Sequence, residues 1–331
     1  MILKSRTFSL ALLLAIAAMA PGVLRAQDAQ PMTEKPLGGT SGGAKTGGAS
    51  LAGDVGDTTA PTGTAGPESA TFDGTYIWVA SQFTDSVTRI RVSDGLTAGT
   101  FTVGKRPVAV LAAAGSVFVA NLLSDNVMKL NPSTGAVTAT YVVGDGPGGM
   151  AFDGTNLWIA NREGNTVTKL STAGANLGTF PVGKRPMGVA VIGDAVFVVN
   201  NFSNSVTKLS LAGAVLGTYA VGRGPFGIAG EGENAWITNY FDKTVTKLRA
   251  ADGFNLGTFK VGDGASGVAF DGTFMWVVSN GDNNVMKLAP STGSVVSTYA
   301  TGKGPFAVVY DGAKIWVPNF ASNSISSTAA N

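Results

Sequence analysis

The sequence predicts an all-β fold: a seven-bladed β-propeller of four-stranded antiparallel blades, its ring closed by pairing of N- and C-terminal segments. Three observations carry this expectation. One position recurs every 39 or 40 residues, at Pro67, Pro107, Pro147, Pro186, Pro225, Ala265 and Pro305. Seven near-copies at that period fit one small sheet per copy. A large aromatic recurs in step, at Trp78, Phe118, Trp158, Phe197, Trp236, Trp276 and Trp316, which takes every tryptophan of the chain. The repeats hold no sustained helical period, only short alternating runs punctuated by turn residues.

The unit that begins at Pro147 shows the elements in order. Residues 149–152 are a short apolar run, and Asp153-Gly154 is a hairpin signal. Residues 156–160 read as a second strand, 161–165 as a polar loop, and 166–170 as an alternating third strand. Ala173-Gly174 makes another turn, 177–182 a fourth strand, and Gly183-Lys184-Arg185-Pro186 leads into the next unit. The second position after each Pro is small: Ser69, Ala109, Gly149, Gly188, Gly227, Gly267 and Ala307. That suits the crowded axis where seven strands converge. The aromatics are expected to wedge between blades, since no repeat unit buries its flank alone. The unit from Pro305 stops after three strands, so residues 54–62 are expected to supply the fourth and remove the open edges.

The 331-residue chain is 44% hydrophobic and 13% charged, with neither Cys nor His. Disulfides, His acid–base chemistry and Cys or His metal sites are thereby excluded. Residues 1–26 read as a signal peptide: Lys4 and Arg6, an apolar stretch from Phe8 to Ala20, and small Ala26 before Gln27. Its removal takes three cations and no acid, so the formal charge falls from +2 to −1. Nucleic acid is therefore an unlikely partner on charge grounds. Residues 27–52 are Gly/Ala/Ser/Thr-rich and read as a linker, leaving 53–331 as the propeller. This organisation implies a periplasmic or secreted monomer with no transmembrane domain after cleavage.

The segment Phe152-Asp153-Gly154-Thr155-Asn156-Leu157-Trp158-Ile159-Ala160-Asn161, followed by Asn165-Thr166-Val167-Thr168-Lys169-Leu170, resembles the YVTN-type propeller repeats. It is also similar to the virginiamycin B lyase propellers and to NHL-repeat proteins, over residues 67–328. The resemblance implies the scaffold; propellers host lyases, hydrolases and plain binding modules. The lyase family implies a catalytic His and acids that help hold magnesium, and this chain contains no His. Gluconolactonase-type propellers imply a central metal held by acids and Asn, yet the inner strands offer only Glu68. No catalytic residue, metal site or cofactor is expected.

Function is expected on the face formed by the loops between blades and between second and third strands. The joining loops carry six cations against two acids, but the neighbouring loops and strand starts cancel that excess. The candidate ligand-binding set is Lys105, Arg106, Arg162, Lys184, Arg185, Arg223, Tyr240, Phe241, Lys303 and Phe320. Of these, Arg162, Tyr240, Phe241 and Phe320, with Leu122, Leu123, Phe202, Phe226 and Phe306, break the symmetry of the repeat and would suit a protein or glycan partner, while the joining-loop cations form a basic rim that could focus an anionic ligand. By contrast, Ser81, Asn121, Asn161, Asn200, Asn239, Ser279 and Asn319 recur in every unit and are expected to cap turns. Asp73, Asp153, Asp194, Glu231, Glu233, Asp271 and Asp311 on the opposite face are turn residues, too dispersed to share a cation. Arg89, Lys129, Lys169, Lys208, Lys247 and Lys287 are expected to be a solvated ring on the third strand that discourages edge pairing. The function expected is non-catalytic binding of a protein, a cell-wall glycan or another extended ligand. The alternative is a lyase or hydrolase that uses Asp/Glu, Lys or Tyr.

Overall fold

The computed structural model describes residues 56–58 and 65–330. The signal peptide and linker expected at 1–26 and 27–52 lie outside the described residues. Among the described residues, the strands form seven four-stranded antiparallel sheets. Six are consecutive in sequence: blade 1 at 67–102, blade 2 at 107–142, blade 3 at 147–181, blade 4 at 186–220, blade 5 at 225–260 and blade 6 at 265–300. Blade 7 combines Val309–Tyr310, Lys314–Asn319 and Ser324–Ala329 with Gly56–Thr58, which pairs as outermost strand through Asp57 opposite Ser326. The expected closure is present, within the segment anticipated from the incomplete last repeat.

The core consists of seven apolar clusters, each spanning two adjacent blades. Trp158 packs with Val189, Val196, Val198 and Leu209 of the following blade, and Trp316 closes the ring against Ile77, Val79 and Ile90. All five tryptophans are essentially inaccessible. Each indole also has a polar partner: Trp78, Trp158, Trp276 and Trp316 donate Nε1–H to Asp73, Asp153, Asp271 and Asp311 at 2.6–2.8 Å. The second oxygen of each Asp accepts the amides two and three residues on, as at Thr155 and Asn156. One carboxylate thus shapes the hairpin and satisfies a buried donor, which accounts for the acidic ring without a cation.

The inner strands approach closely. A Cβ on Gly149 would collide with the Met187 carbonyl, and one on Gly188 with that of Phe226. These positions therefore tolerate only small residues, as the repeat anticipates.

Two sequence expectations need correction. The third-strand cations are not a solvated ring. Each lies opposite the blade's aromatic in register, as Lys169 does with Trp158 and Lys287 with Trp276. Each crosses to the next blade and donates to a turn carbonyl: Arg89 to Pro132, Lys129 to Thr172, Lys169 to Leu211, Lys208 to Ala251, Lys247 to Pro290 and Lys287 to Ala330. Lys169 and Lys247 sit 5.3 and 5.1 Å from the ring centres of Trp158 and Trp236. The fourth strand covers this position, so the stem packs on the indole and the ammonium bridges two blades. The recurring Asn residues are not turn caps either. Asn161, Asn200, Asn239 and Asn319 are fully buried and donate Nδ2–H to hydroxyls five and seven residues on, such as Thr166 and Thr168. They tie the second strand to the third and leave no hydrogen-bonding collar for a ligand.

Candidate functional site

The loop face is stitched by a repeated contact. In every unit but the one holding Lys243, the residue just before the third strand accepts the amide of the residue that precedes the next inner strand. Examples are Asn165 with Arg185, Asn204 with Gly224, Asn283 with Gly304 and Asp85 with Arg106, all at 2.8–2.9 Å. The amide-bearing residue is left-handed in every unit: Gly66, Arg106, Gly146, Arg185, Gly224, Gly264 and Gly304 have φ between 52° and 67°. Glycine reaches that region freely, whereas arginine is strained there. Only at the blade 1–2 and 3–4 junctions does the chain place a side chain at this costly position.

Both arginines converge on the axial mouth, where Arg162 meets Glu68. Glu68 follows Pro67 on blade 1, and Arg162 follows buried Asn161 on blade 3. Arg162 donates Nη1–H and Nη2–H to Glu68 Oε1 at 3.5 and 3.4 Å, with both side chains less than a tenth exposed. The guanidinium lies over Gly148, where any Cβ would strike its Nε. Arg106 donates Nε–H to buried Gln82 at 2.8 Å. Arg185 packs its guanidinium 4.7 Å from the centre of the Phe202 ring and is 5% exposed. The Nε atoms of Arg162 and Arg185 are buried without a hydrogen-bond partner.

The electrostatics follow from this crowding. Burial pushes the Glu68 carboxyl above its ordinary range, against the opposing pull of Arg162, Arg106 and Arg185. Burial lowers the Arg106 and Arg185 values, and the positive charge of Arg162 lowers both further. Three cations thus face one buried, long-range and poorly matched carboxylate, and exposed Glu163 adds a second negative charge felt by Arg106 and Arg185.

The rest of the mouth is aromatic. Phe241, Tyr240, Phe226, Phe306, Phe320 and Phe83 form a continuous arc with successive ring centres 5.2–6.5 Å apart. The arc comes from blades 5, 7 and 1, whereas the arginines come from the loops of blades 2 to 4. Tyr240 is buried, donates to Asn280 Oδ1 at 3.4 Å, and has its phenol pushed up to about 12 by desolvation and then by Asp263. Below the mouth runs a cavity of about 270 Å³, bordered by Glu68, Arg162, Val108, Met187, Phe226 and Phe306 among others.

The structure therefore divides the expected site residues. Arg106, Arg162, Arg185, Tyr240 and Phe320 line the mouth. Phe241 ends the aromatic arc at its exposed side, and Lys105, Lys184, Arg223 and Lys303 lie outside the mouth, at the exposed rim. Lys105 and Arg223 pair with Asp85 and Asp242 at 2.6 Å while remaining largely solvated. Sequence reasoning did not place Glu68, Gln82, Phe226 and Phe306 in the site, although Phe226 and Phe306 stand out as breaks in the repeat. Among the described residues, no group of three or more acids could hold a metal ion, and no helix is long and apolar enough to cross a membrane.

No protein-family model matches the chain, and no curated protein matches its sequence. Solved structures do share its fold. Kuenenia stuttgartiensis hydrazine synthase aligns at 18% identity and TM-score 0.73, covering 84% of this chain and 99% of that one. Virginiamycin B lyase from Staphylococcus aureus, in a catalytically inactive form with quinupristin, aligns at 16% identity and TM-score 0.75 with the same coverage. A streptogramin B lyase aligns at 15% identity and TM-score 0.73, covering 82% of this chain and 96% of that one. The chain has the propeller fold of these proteins. At such identities the likeness extends to the fold alone.

Proposed function

We propose that this protein is an exported, non-catalytic binding propeller that seats an anionic part of its ligand at the loop-face mouth. One observation carries the reading: Arg106 and Arg185 occupy left-handed positions that five sister units fill with glycine. Strain of this kind costs roughly 1–2 kcal/mol per residue and persists where the side chain has a purpose. Both guanidiniums join Arg162 at a mouth where three cations face the carboxylates of Glu68 and Glu163, so the site keeps a net positive charge although the whole loop face is balanced. Export rests on the charged, apolar and small-residue pattern of 1–26.

The test is retention of a soluble cell-wall digest and of a tryptic peptide mixture on immobilised protein, wild type against R106G/R185G. The double variant should stay folded and lose the bound fraction. Equal retention by both proteins would dismiss the mouth as the binding site. A second reading, a lyase or hydrolase acting through Glu68, is favoured by that carboxyl's raised pKa and by the fold shared with two lyases. Covalent change of retained material by wild type but not by E68Q would select it.

A further inference from the structure

The mouth is chemically two-sided, and that restricts what can enter it. The guanidinium donors lie on one wall, at Arg106, Arg162 and Arg185; the facing wall is Phe226, Phe306 and Tyr240, whose phenol is turned to Asn280, with Val108 and Met187 below. We infer that the pocket takes the end of a ligand bearing a carboxylate beside an apolar group, such as the C-terminal residue of a peptide with an aromatic or aliphatic side chain. This rests on the binding function proposed above and specifies its ligand class.

Three points lead to a carboxylate on an apolar body. First, a guanidinium fork matches the two oxygens of a carboxylate, and Arg162 uses only its terminal nitrogens, weakly, on one oxygen of Glu68. Its Nε and that of Arg185 are buried donors with unspent capacity. Secondly, a tetrahedral phosphate presents oxygens in every direction and would turn some toward the aromatic wall, which offers few donors. A carboxylate confines its charge to one end and lets the rest of the ligand meet the rings. Thirdly, a cavity of about 270 Å³ lies at the small end of ligand sites, roughly 300–1,000 Å³. It has room for one terminal group, with the remainder of the ligand held outside. Phe83, Leu123, Phe202 and Phe241, each about half exposed or more, surround the mouth and would meet that remainder.

Glu68 completes the picture. Its carboxylate already occupies the cationic wall, at long distance. A ligand carboxylate with better geometry supplies what Glu68 cannot, and it brings the three cations into balance with Glu68, Glu163 and the ligand.

The experiment is isothermal titration of the mature protein with N-acetyl-L-phenylalanine, N-acetyl-L-phenylalanine amide and inorganic phosphate. The acid should bind at least tenfold more tightly than the amide, and phosphate should show no saturable binding. R185G should weaken the acid tenfold or more and leave the amide unchanged, while F226L should weaken both. R162M is avoided, because it would leave Glu68 buried without its partner and could unfold the chain. Thermal melts of R185G and F226L establish that each is folded before titration. Equal binding of acid and amide, phosphate binding as tight as the acid, or full affinity in R185G would each overturn the inference. Such a result leaves the binding function standing if R106G/R185G still fails to retain wall or peptide material.

Discussion

Replacing Arg185 with glycine is expected to separate binding from stability. A buried long side chain usually supports its fold, and large-to-small truncations at buried sites commonly cost 2–5 kcal/mol. Here the terms oppose one another. Arg185 sits at φ 52°, and relief of that strain returns about 1–2 kcal/mol. Glycine's greater freedom in the unfolded chain takes back about 0.5–1 kcal/mol, and loss of the cation over Phe202 a further ~0.5–1 kcal/mol. The backbone contact survives, because Gly224 makes the same amide bond to Asn204 at 2.9 Å that Arg185 makes to Asn165 at 2.8 Å. Removing this desolvated cation relieves its repulsion with Arg162 and Arg106 and forfeits its attraction to Glu163 and Glu68. Together these terms lie between about −1 and +1 kcal/mol, so the variant's melting temperature should stay within about 4 °C of wild type. Circular-dichroism melts measure this, and titration with N-acetyl-L-phenylalanine measures the accompanying loss of binding. A drop of more than about 4 °C would show that Arg185 holds the propeller together, and the inference from its strained backbone would fail.

Three further outcomes are expected. Trp158→Ala should destabilise by about 3–5 kcal/mol in chemical denaturation, since it empties a fully buried inter-blade site and strands Asp153; a loss below 1 kcal/mol would contradict the wedge. Lys287→Met keeps the stem on Trp276 but loses the 2.7 Å bond to Ala330, at a cost of about 1.5–3 kcal/mol. The solvated Lys184→Met should be neutral, and equal melts for the two variants would remove the clamp. The Tyr240 phenol titrates near 12 in the folded state against about 10 when unfolded, so the native state retains that proton longer. Its stabilising contribution is complete below pH 10 and disappears as pH rises to about 12. Absorbance at 295 nm should therefore lose its latest component in Tyr240→Phe, and an unchanged titration curve would reject the assignment.

The fold was legible because a propeller writes its geometry once per repeat. The prolines mark each inner strand, the tryptophans each interface, and the truncated last unit shows that a strand must come from elsewhere. The third-strand cations were misread, and Glu68 passed over, because each has its partner in another repeat. Lys169 resembles a solvated strand residue until the Leu211 carbonyl of the next blade is placed above it. Glu68 looked isolated because its partner Arg162 is 94 residues away, across the axis. The basic half of the mouth was named from the sequence, whereas the arc joining Phe226, Phe306 and Phe320 required the ring to bring distant blades together. What the linear pattern did contain is a column with five glycines and two arginines, and the sign of φ is what turns that column into a functional signal.

The cationic bridges run from blade 1 to 2 and onward to blade 7, but at the final seam Ser327 stands opposite Trp316 where the other blades place Lys or Arg. That junction is held instead by Trp316 packed against Ile77, Val79 and Ile90, and blade 7 is completed by a joint of three described incoming residues. Tension applied at the start of the propeller would load this joint first and unzip it lengthwise, residue by residue. Whatever pulls on the chain ahead of Gly56 therefore acts on the blade where Ser327 stands in place of a bridging cation.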